Sequence, residues 1–228
     1  MLKVAAATAV FGVVHSTLAS RGAKRVAART FGERNRNGLY RVFYIGQSAI
    51  TFGLLAEYIR RQPSKEVYHV RGPAAALMHA LQASAMVYAT SAARQVGVRR
   101  IVGLKSFQAW LSDGPVPPEP EAQGPALDAE GLARAAGPFA WSRHPLNFAP
   151  LPILWLWPRM TTSLLAFNVA ATTYLVIASV HEAARLRETF GAEYDSYCES
   201  GVAFYLPAPT HRSMSLMKSV AGLRGPHL

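Results

Sequence analysis

Residues 137–186 read GPFAWSRHPLNFAPLPILWLWPRMTTSLLAFNVAATTYLVIASVHEAARL, and the chain continues through RETFGAEYDSYCESGVAFYLP to Pro207. Two stretches without a charge, 146–157 and 161–180, are separated only by Pro158, Arg159 and Met160. In lipid such runs must be helical, because the backbone polar groups can be satisfied only within the segment. A tight reversal at Pro158 then makes them a helical hairpin. Its two open ends meet, bringing Arg143, His144 and Pro145 to the same end as His181, Glu182 and Arg185. This polar cluster at one membrane face reads as the active end of the molecule. Pro145 lies 13 residues from Pro158, whereas Glu182 lies 21 from Thr161. At ~1.5 Å per residue the second arm runs about 12 Å further, a step that the preceding loop or a bound cofactor has to fill.

Working outward, half of the 228 residues are apolar, yet the chain carries 24 Lys and Arg and a net charge of +11. Mean hydropathy is slightly positive. These facts reconcile if basic and apolar residues occupy different stretches, as they do here. That separation favours a membrane protein with cationic loops over a nucleic-acid binder, so the lipid bilayer, not nucleic acid, is the expected surroundings. One cysteine, Cys198, rules out an internal disulfide and a cysteine-based zinc cluster.

Three further apolar segments precede the hairpin, at 4–19, 42–56 and 73–93, the last with 21 charge-free residues. A spanning helix needs ~20 mostly apolar residues. The segments at 73–93 and 161–180 meet that outright, those at 4–19 and 42–56 meet it with interfacial ends, and 146–157 is short. The expected fold is all-α, an integral-membrane helical bundle of about five transmembrane helices with a C-terminal helical hairpin. Charge sets its orientation. Residues 21–41 read as a loop that holds seven basic residues against Glu33, while only Lys3 precedes the first segment. A retained first helix is therefore expected rather than a cleaved signal, with the N-terminus outside and the C-terminus cytoplasmic. The stretch from Arg60 to Arg71 dissents from this pattern.

The loop at 112–124 is rich in Pro, Gly and acid and reads as irregular. Asp128 can cap a short helix ending at Ala136, stopped by Gly137 and Pro138. Residues 1–208 form one domain, and 209–228 read as a basic, flexible tail. Alanine and arginine usage points to a bacterial plasma membrane.

Arg-His-Pro at the start of an apolar helix, a close second helix, Glu182 with Leu186, then Phe190-Gly191-x-x-Tyr194-x-x-Tyr197 and Pro207, resembles the isoprenylcysteine carboxyl methyltransferase superfamily of integral-membrane methyltransferases. The likeness covers roughly the last third of the chain before the tail. It implies an enzyme that takes a methyl group from S-adenosylmethionine at the cytoplasmic end of the hairpin and transfers it to a small or lipophilic acceptor, such as a thiol, carboxylate or amine. Gly137, Arg143, His144 and Pro145 match the first motif; Glu182, Leu186, Gly191, Tyr194 and Tyr197 match the second. The family usually has an aromatic residue where Asn147 stands and a second acid where Ala183 stands.

The chemistry of such a cofactor suits these side chains. A carboxylate, Glu182, suits ribose hydroxyls or an ammonium, and a guanidinium, Arg143 or Arg185, suits a carboxylate through paired hydrogen bonds. His144 suits an adenine. Glu182 and Arg185 share a helix face, as do His181 and Arg185. Methyl displacement needs alignment and dryness more than a strong base, so no catalytic triad is expected, and no metal. Plain structural readings stand beside these: a snorkelling Arg143 with Pro145 in a first helical turn, a surface ion pair from Glu182 to Arg185, and Tyr194 and Tyr197 as packing residues. Trp155 and Trp157 read as anchors at the outer interface.

The N-terminal half points elsewhere. Phe11-Gly-Val-Val-His15-Ser16 and Tyr40-Arg41 resemble the NnrU family, which also carries an Arg-His-Pro element. That resemblance implies a haem-binding membrane protein, an isomerase or a redox or denitrification-associated protein. His15, His79, His144 and His181 would then supply axial ligands to haem b. Histidines 15 and 79 could equally hydrogen-bond between helices. A non-catalytic membrane scaffold is the third alternative.

Overall fold

The computed structural model describes residues 1–112, 114–117, 124–125 and 135–208. Helix α1, Leu2–Ala19, is followed by α2, Arg21–Phe31, and α3, Glu33–Arg61. Strand β1, Glu66–His69, leads into α4, Gly72–Val96. Short helices α5, Val98–Ile101, and α6, Leu104–Leu111, end the first half. The second half holds α7, Pro145–Phe148, α8, Pro150–Trp155, strand β2, Arg159–Thr161, and α9, Thr162–Phe190, then α10, Ala192–Glu199. This is an all-α membrane bundle with one small sheet. Helices α1, α3 and α9 are each long and apolar enough to cross a membrane.

Three expectations change. Helix α4 is long enough at 25 residues, yet it is less apolar than the other three. Its charge-free run intersperses Leu77, Leu81 and Val87 with Ala, Ser, Thr90, His79 and Gln82, which lowers its hydropathy. Residues 21–41 are not a loop, since α2 and the first turns of α3 occupy them. Ser20 caps α2, its hydroxyl accepting from the Ala23 amide at 3.2 Å, as an N-cap serine does.

The arms of the hairpin also differ from a tight reversal of two continuous helices. Residues 146–157 break at Ala149, because Pro150 and Pro152 lack the N–H groups that would bond back one turn. The turn is extended instead. Strand β2 pairs antiparallel with β1, matching Glu66 with Thr161, Tyr68 with Met160 and His69 with Arg159. Arg159 and Glu66 add an ion pair at 2.9 Å. This settles the unequal arms. The arm from Pro145 to Trp155 rises ~15 Å and that from Thr162 to Glu182 ~30 Å. Six residues, 156–161, cover the difference at up to ~3.3 Å each where extended.

Helix α9 sits at the centre, against α1, α3, α7, α8 and α10, while α4 packs on α7 and α8. Close approach depends on glycine at two places. A Cβ at Gly12 would lie 2.7 Å from the Tyr174 ring, where α1 meets α9. One at Gly38 would run into Trp110, where α6 lies on α3. Two buried clusters result. At the sheet end Val4, Leu55, Ala166 and Phe167 pack together. At the opposite end Ala92, Val96, Phe139, Leu186, Tyr194 and Tyr197 do so. Asp128 and its short helix, and the tail at 209–228, lie outside the described residues. Gly137 has φ +55 and opens a short 3-10 turn, Gly137–Ala140.

Candidate functional site

The site end is assembled from three pieces of chain. The 3-10 turn places Phe139 in the buried cluster, with Gly137 against the Gln95 amide, where a Cβ would come within 2.7 Å. Residues 141–143 then run alongside the chain that follows α10. The Arg143 amide donates to the Ala203 carbonyl at 2.9 Å, and the Ala208 amide donates to that of Trp141 at 3.0 Å. The Ser142 hydroxyl donates to the Tyr205 carbonyl at 2.8 Å and accepts from the His144 amide at 3.1 Å. Pro145 starts α7, where a missing N–H costs nothing.

His144 is thereby held rigidly, 1% exposed. Its Nδ1 lies 2.8 Å from Glu182 Oε2. The same oxygen accepts from the Asn147 amide at 2.9 Å. That amide also donates to the Ser179 hydroxyl at 3.1 Å, which donates to the Leu175 carbonyl at 2.9 Å. The Tyr205 hydroxyl holds the Asn147 carbonyl at 2.8 Å, and Phe204 meets the imidazole edge-on at 4.9 Å. With Nδ1 against the carboxylate, Nε2 is the ring nitrogen left for another partner. That nitrogen is buried and has no partner. Glu182 is 28% exposed, so one face of the pair is closed and the other opens outward.

Arg143 lies beside this pair. Its Nη1 donates to Cys198 Sγ at 2.7 Å, its guanidinium lies 5.2 Å over Phe204, and its Nε is buried without a partner. Tyr194 and Tyr197 pack in the adjoining buried cluster, both nearly inaccessible. Burial pushes the Tyr194 hydroxyl up to about 12, and it pushes Tyr197 up as well. Tyr197 donates to the Phe139 carbonyl. Tyr205 is also raised to about 12 by burial.

Of the residues expected in the site, Gly137, Arg143, His144, Pro145, Glu182, Tyr194 and Tyr197 come together. His181 and Arg185 do not. His181 is exposed, and Arg185 lies within electrostatic reach of Tyr44 on α3. Glu182 pairs with His144 rather than Arg185. Neighbours in sequence turn ~100° apart on a helix, which separates 181 from 182. Asn147, Ser142, Ser179, Cys198, Phe204 and Tyr205 belong to the site and were not anticipated. Only Asn147 had a usable signal, three residues after His144 and so on its face of the helix.

A second polar cluster lies between α1 and α3. His15 Nδ1 is 3.0 Å from Ser48 Oγ, and His15 Nε2 is 2.6 Å from the Tyr44 hydroxyl. His79 Nδ1 is 2.8 Å from Gln82 Oε1, and the Gln82 amide donates to the Ile153 carbonyl at 2.8 Å. Among the described residues no group of three or more His, Cys, Asp or Glu is placed to hold a metal ion.

No family model matches the chain, and no solved structure matches it. A curated protein, the methanethiol S-methyltransferase of Pseudomonas deceptionensis, is 32% identical over 88 residues. That stretch is 39% of this chain and 33% of the relative, so the chain spans about a third of the length of the relative it matches.

Proposed function

We propose that this chain is an integral-membrane methyltransferase that uses S-adenosylmethionine at its His144–Glu182 end and methylates a small or lipophilic acceptor. One observation carries the reading: a buried imidazole, fixed by a half-open carboxylate, with its second nitrogen unpartnered. A buried ring nitrogen beside a half-open carboxylate gains a partner if a ligand brings a polar group to it. Local identity to a thiol S-methyltransferase supports the same reaction class.

The donor set fits the cofactor. Glu182 suits its ammonium or ribose hydroxyls, Arg143 suits its carboxylate, and His144 suits its adenine. When bound, the cofactor supplies an electrophilic methyl group on a sulfonium. The chain's own part is positional. Asn147 and His144 fix the Glu182 carboxylate, Ser142 and Tyr205 fix the segment carrying His144, and the neutral phenols packed alongside exclude water without adding charge. Alignment and dryness are what a displacement of this kind needs. A haem-ligating role for His15 is not favoured, because each ring nitrogen already has a protein partner within 3.0 Å.

The test uses detergent-purified protein. S-adenosylhomocysteine should raise the unfolding temperature in a concentration-dependent way, since a ligand that binds only the folded state stabilises it. Radiolabel from the methyl donor should appear on a small thiol. No stabilisation at millimolar ligand, or a Soret absorption band in the purified protein, sinks the proposal.

A further inference from the structure

Between α1, α3, α8 and α9 lies a half-open cavity of about 310 Å³. Aromatic rings form about half of its wall, with Phe11 and Phe52 5.7 Å apart, Phe167 6.3 Å from Phe52, and Tyr174 facing His15. Ala171 and Leu175 complete the α9 side.

Every polar group on that wall is already engaged. The Thr8 hydroxyl donates to the Val4 carbonyl, and the Tyr174 hydroxyl meets Ser16 at 3.0 Å. Both nitrogens of His15 are taken by Ser48 and Tyr44. A charged or many-hydroxyl guest would therefore lose its water and gain no partner, which costs several kcal/mol. An uncharged apolar guest gains with each unit of area it buries. A cavity of about 150 Å³ holds benzene, so this one suits a guest of roughly a dozen non-hydrogen atoms or fewer. Polarisable sulfur also makes favourable contacts with aromatic rings.

The cavity is wired to the site. Leu175 lies seven residues before Glu182, about 10 Å along the same face of α9. Its carbonyl accepts from Ser179, whose hydroxyl accepts from the Asn147 amide, which also donates to Glu182. The two regions are consecutive stations on one helix face.

We propose that this aromatic-walled chamber is a binding site for a small, uncharged, apolar molecule, either a simple aromatic or a thiol of that size. Its occupancy stands on the cavity alone. Its role as the holding place for the acceptor rests on the proposed function, which it narrows by excluding carboxylates, ammonium groups and phospholipid headgroups from the chamber.

The experiment is fluorine NMR on the full chain in lipid nanodiscs, with no methyl donor or its analogues present. Failure of cofactor binding therefore leaves the result untouched. Fluorobenzene and reduced fluorobenzyl mercaptan, a thiol that stays neutral near pH 7, should each give a saturable bound signal, and fluorobenzoate of similar size should give none. Ala171→Leu should weaken binding by about tenfold or more by filling the space. Ala171→Val, a smaller filling, should do so in part and serves if the leucine variant does not elute as a folded monodisperse species. Four outcomes overturn the proposal: no saturable signal in the wild type, equal binding of fluorobenzoate, unchanged binding in a folded filled variant, or binding in detergent that vanishes in nanodiscs. The last would mean that a lipid tail occupies the space.

Discussion

His144 and His15 are both histidines near helices in one membrane bundle, and they differ in how their ring nitrogens are matched. His15 has a protein partner on each nitrogen, the neutral hydroxyls of Ser48 and Tyr44. His144 has one partner, the carboxylate of Glu182, and a second nitrogen that is buried and unmatched. A closed set of hydrogen bonds ties α1 to α3 and needs nothing more. An open one is a cost that the fold carries unless something completes it, because an unmatched buried polar group forfeits its water without replacement. The contrast separates a scaffold histidine from a binding one more sharply than sequence position does.

The largest effect expected from breaking that contrast is at Glu182. Glu182→Ala leaves His144 Nδ1 and the Asn147 amide without their shared acceptor. Unmatching buried donors costs about 1–3 kcal/mol each, so the unfolding temperature should fall. Stabilisation by S-adenosylhomocysteine should vanish, and methyl transfer should drop on the order of 100-fold or more. Glu182→Gln, which keeps shape and loses charge, should recover most of the stability and little of the binding. Should Glu182→Ala bind the analogue as the wild type does, the open imidazole is not a cofactor contact.

These residues were unequally legible in the sequence. Charge-free runs marked the long helices, because lipid demands them. The hairpin brought His144 and Glu182 to one end because both flank apolar segments. The sheet was invisible: Glu66–His69 and Arg159–Thr161 are four and three residues long and pair across some ninety intervening positions. Residues 21–41 read as a loop because their basic charge masked the amphipathic periodicity that makes Arg21–Phe31 a helix. His181 was placed by adjacency, which a helix does not respect, and Arg185 by its three-residue spacing from Glu182, although it lies within electrostatic reach of Tyr44 on α3. Asn147 registered as a departure from a pattern, whereas it bridges Glu182 and Ser179. Nothing in residues 198–205 signalled that Cys198, Phe204 and Tyr205 return to pack on residues 143–147, since that contact is set by tertiary folding alone.

A middle-sized effect belongs to Asn147. Asn147→Asp sets a second carboxylate about where the amide now donates to Glu182 at 2.9 Å. Like charges at that separation repel, and the donor to Ser179 is lost as well. Cofactor affinity should fall by about tenfold, roughly 1.4 kcal/mol. Asn147→Leu removes the donor without adding charge and should fall by less. Isothermal titration of both variants ranks them. If Asn147→Leu proves the worse, the amide matters for packing around Tyr205 and not for holding the carboxylate.

The smallest expected effect lies on the closed side of the comparison. Ser48→Ala removes the hydroxyl that meets His15 Nδ1 and that accepts from the Gln47 amide at 2.9 Å. Tyr44 still holds His15 Nε2, so the ring keeps its place. Hydrogen bonds between membrane helices average about 0.6 kcal/mol, because the unfolded segment in lipid also finds partners, and a loss of that size should appear in the unfolding free energy. Stabilisation by S-adenosylhomocysteine should be unchanged, since the hydroxyl touches neither His144 nor Glu182. An equal loss of ligand stabilisation in Ser48→Ala and Glu182→Ala would erase the distinction between the two histidines. It would mean that the α1–α3 contact and the Glu182 site fold and bind as one unit.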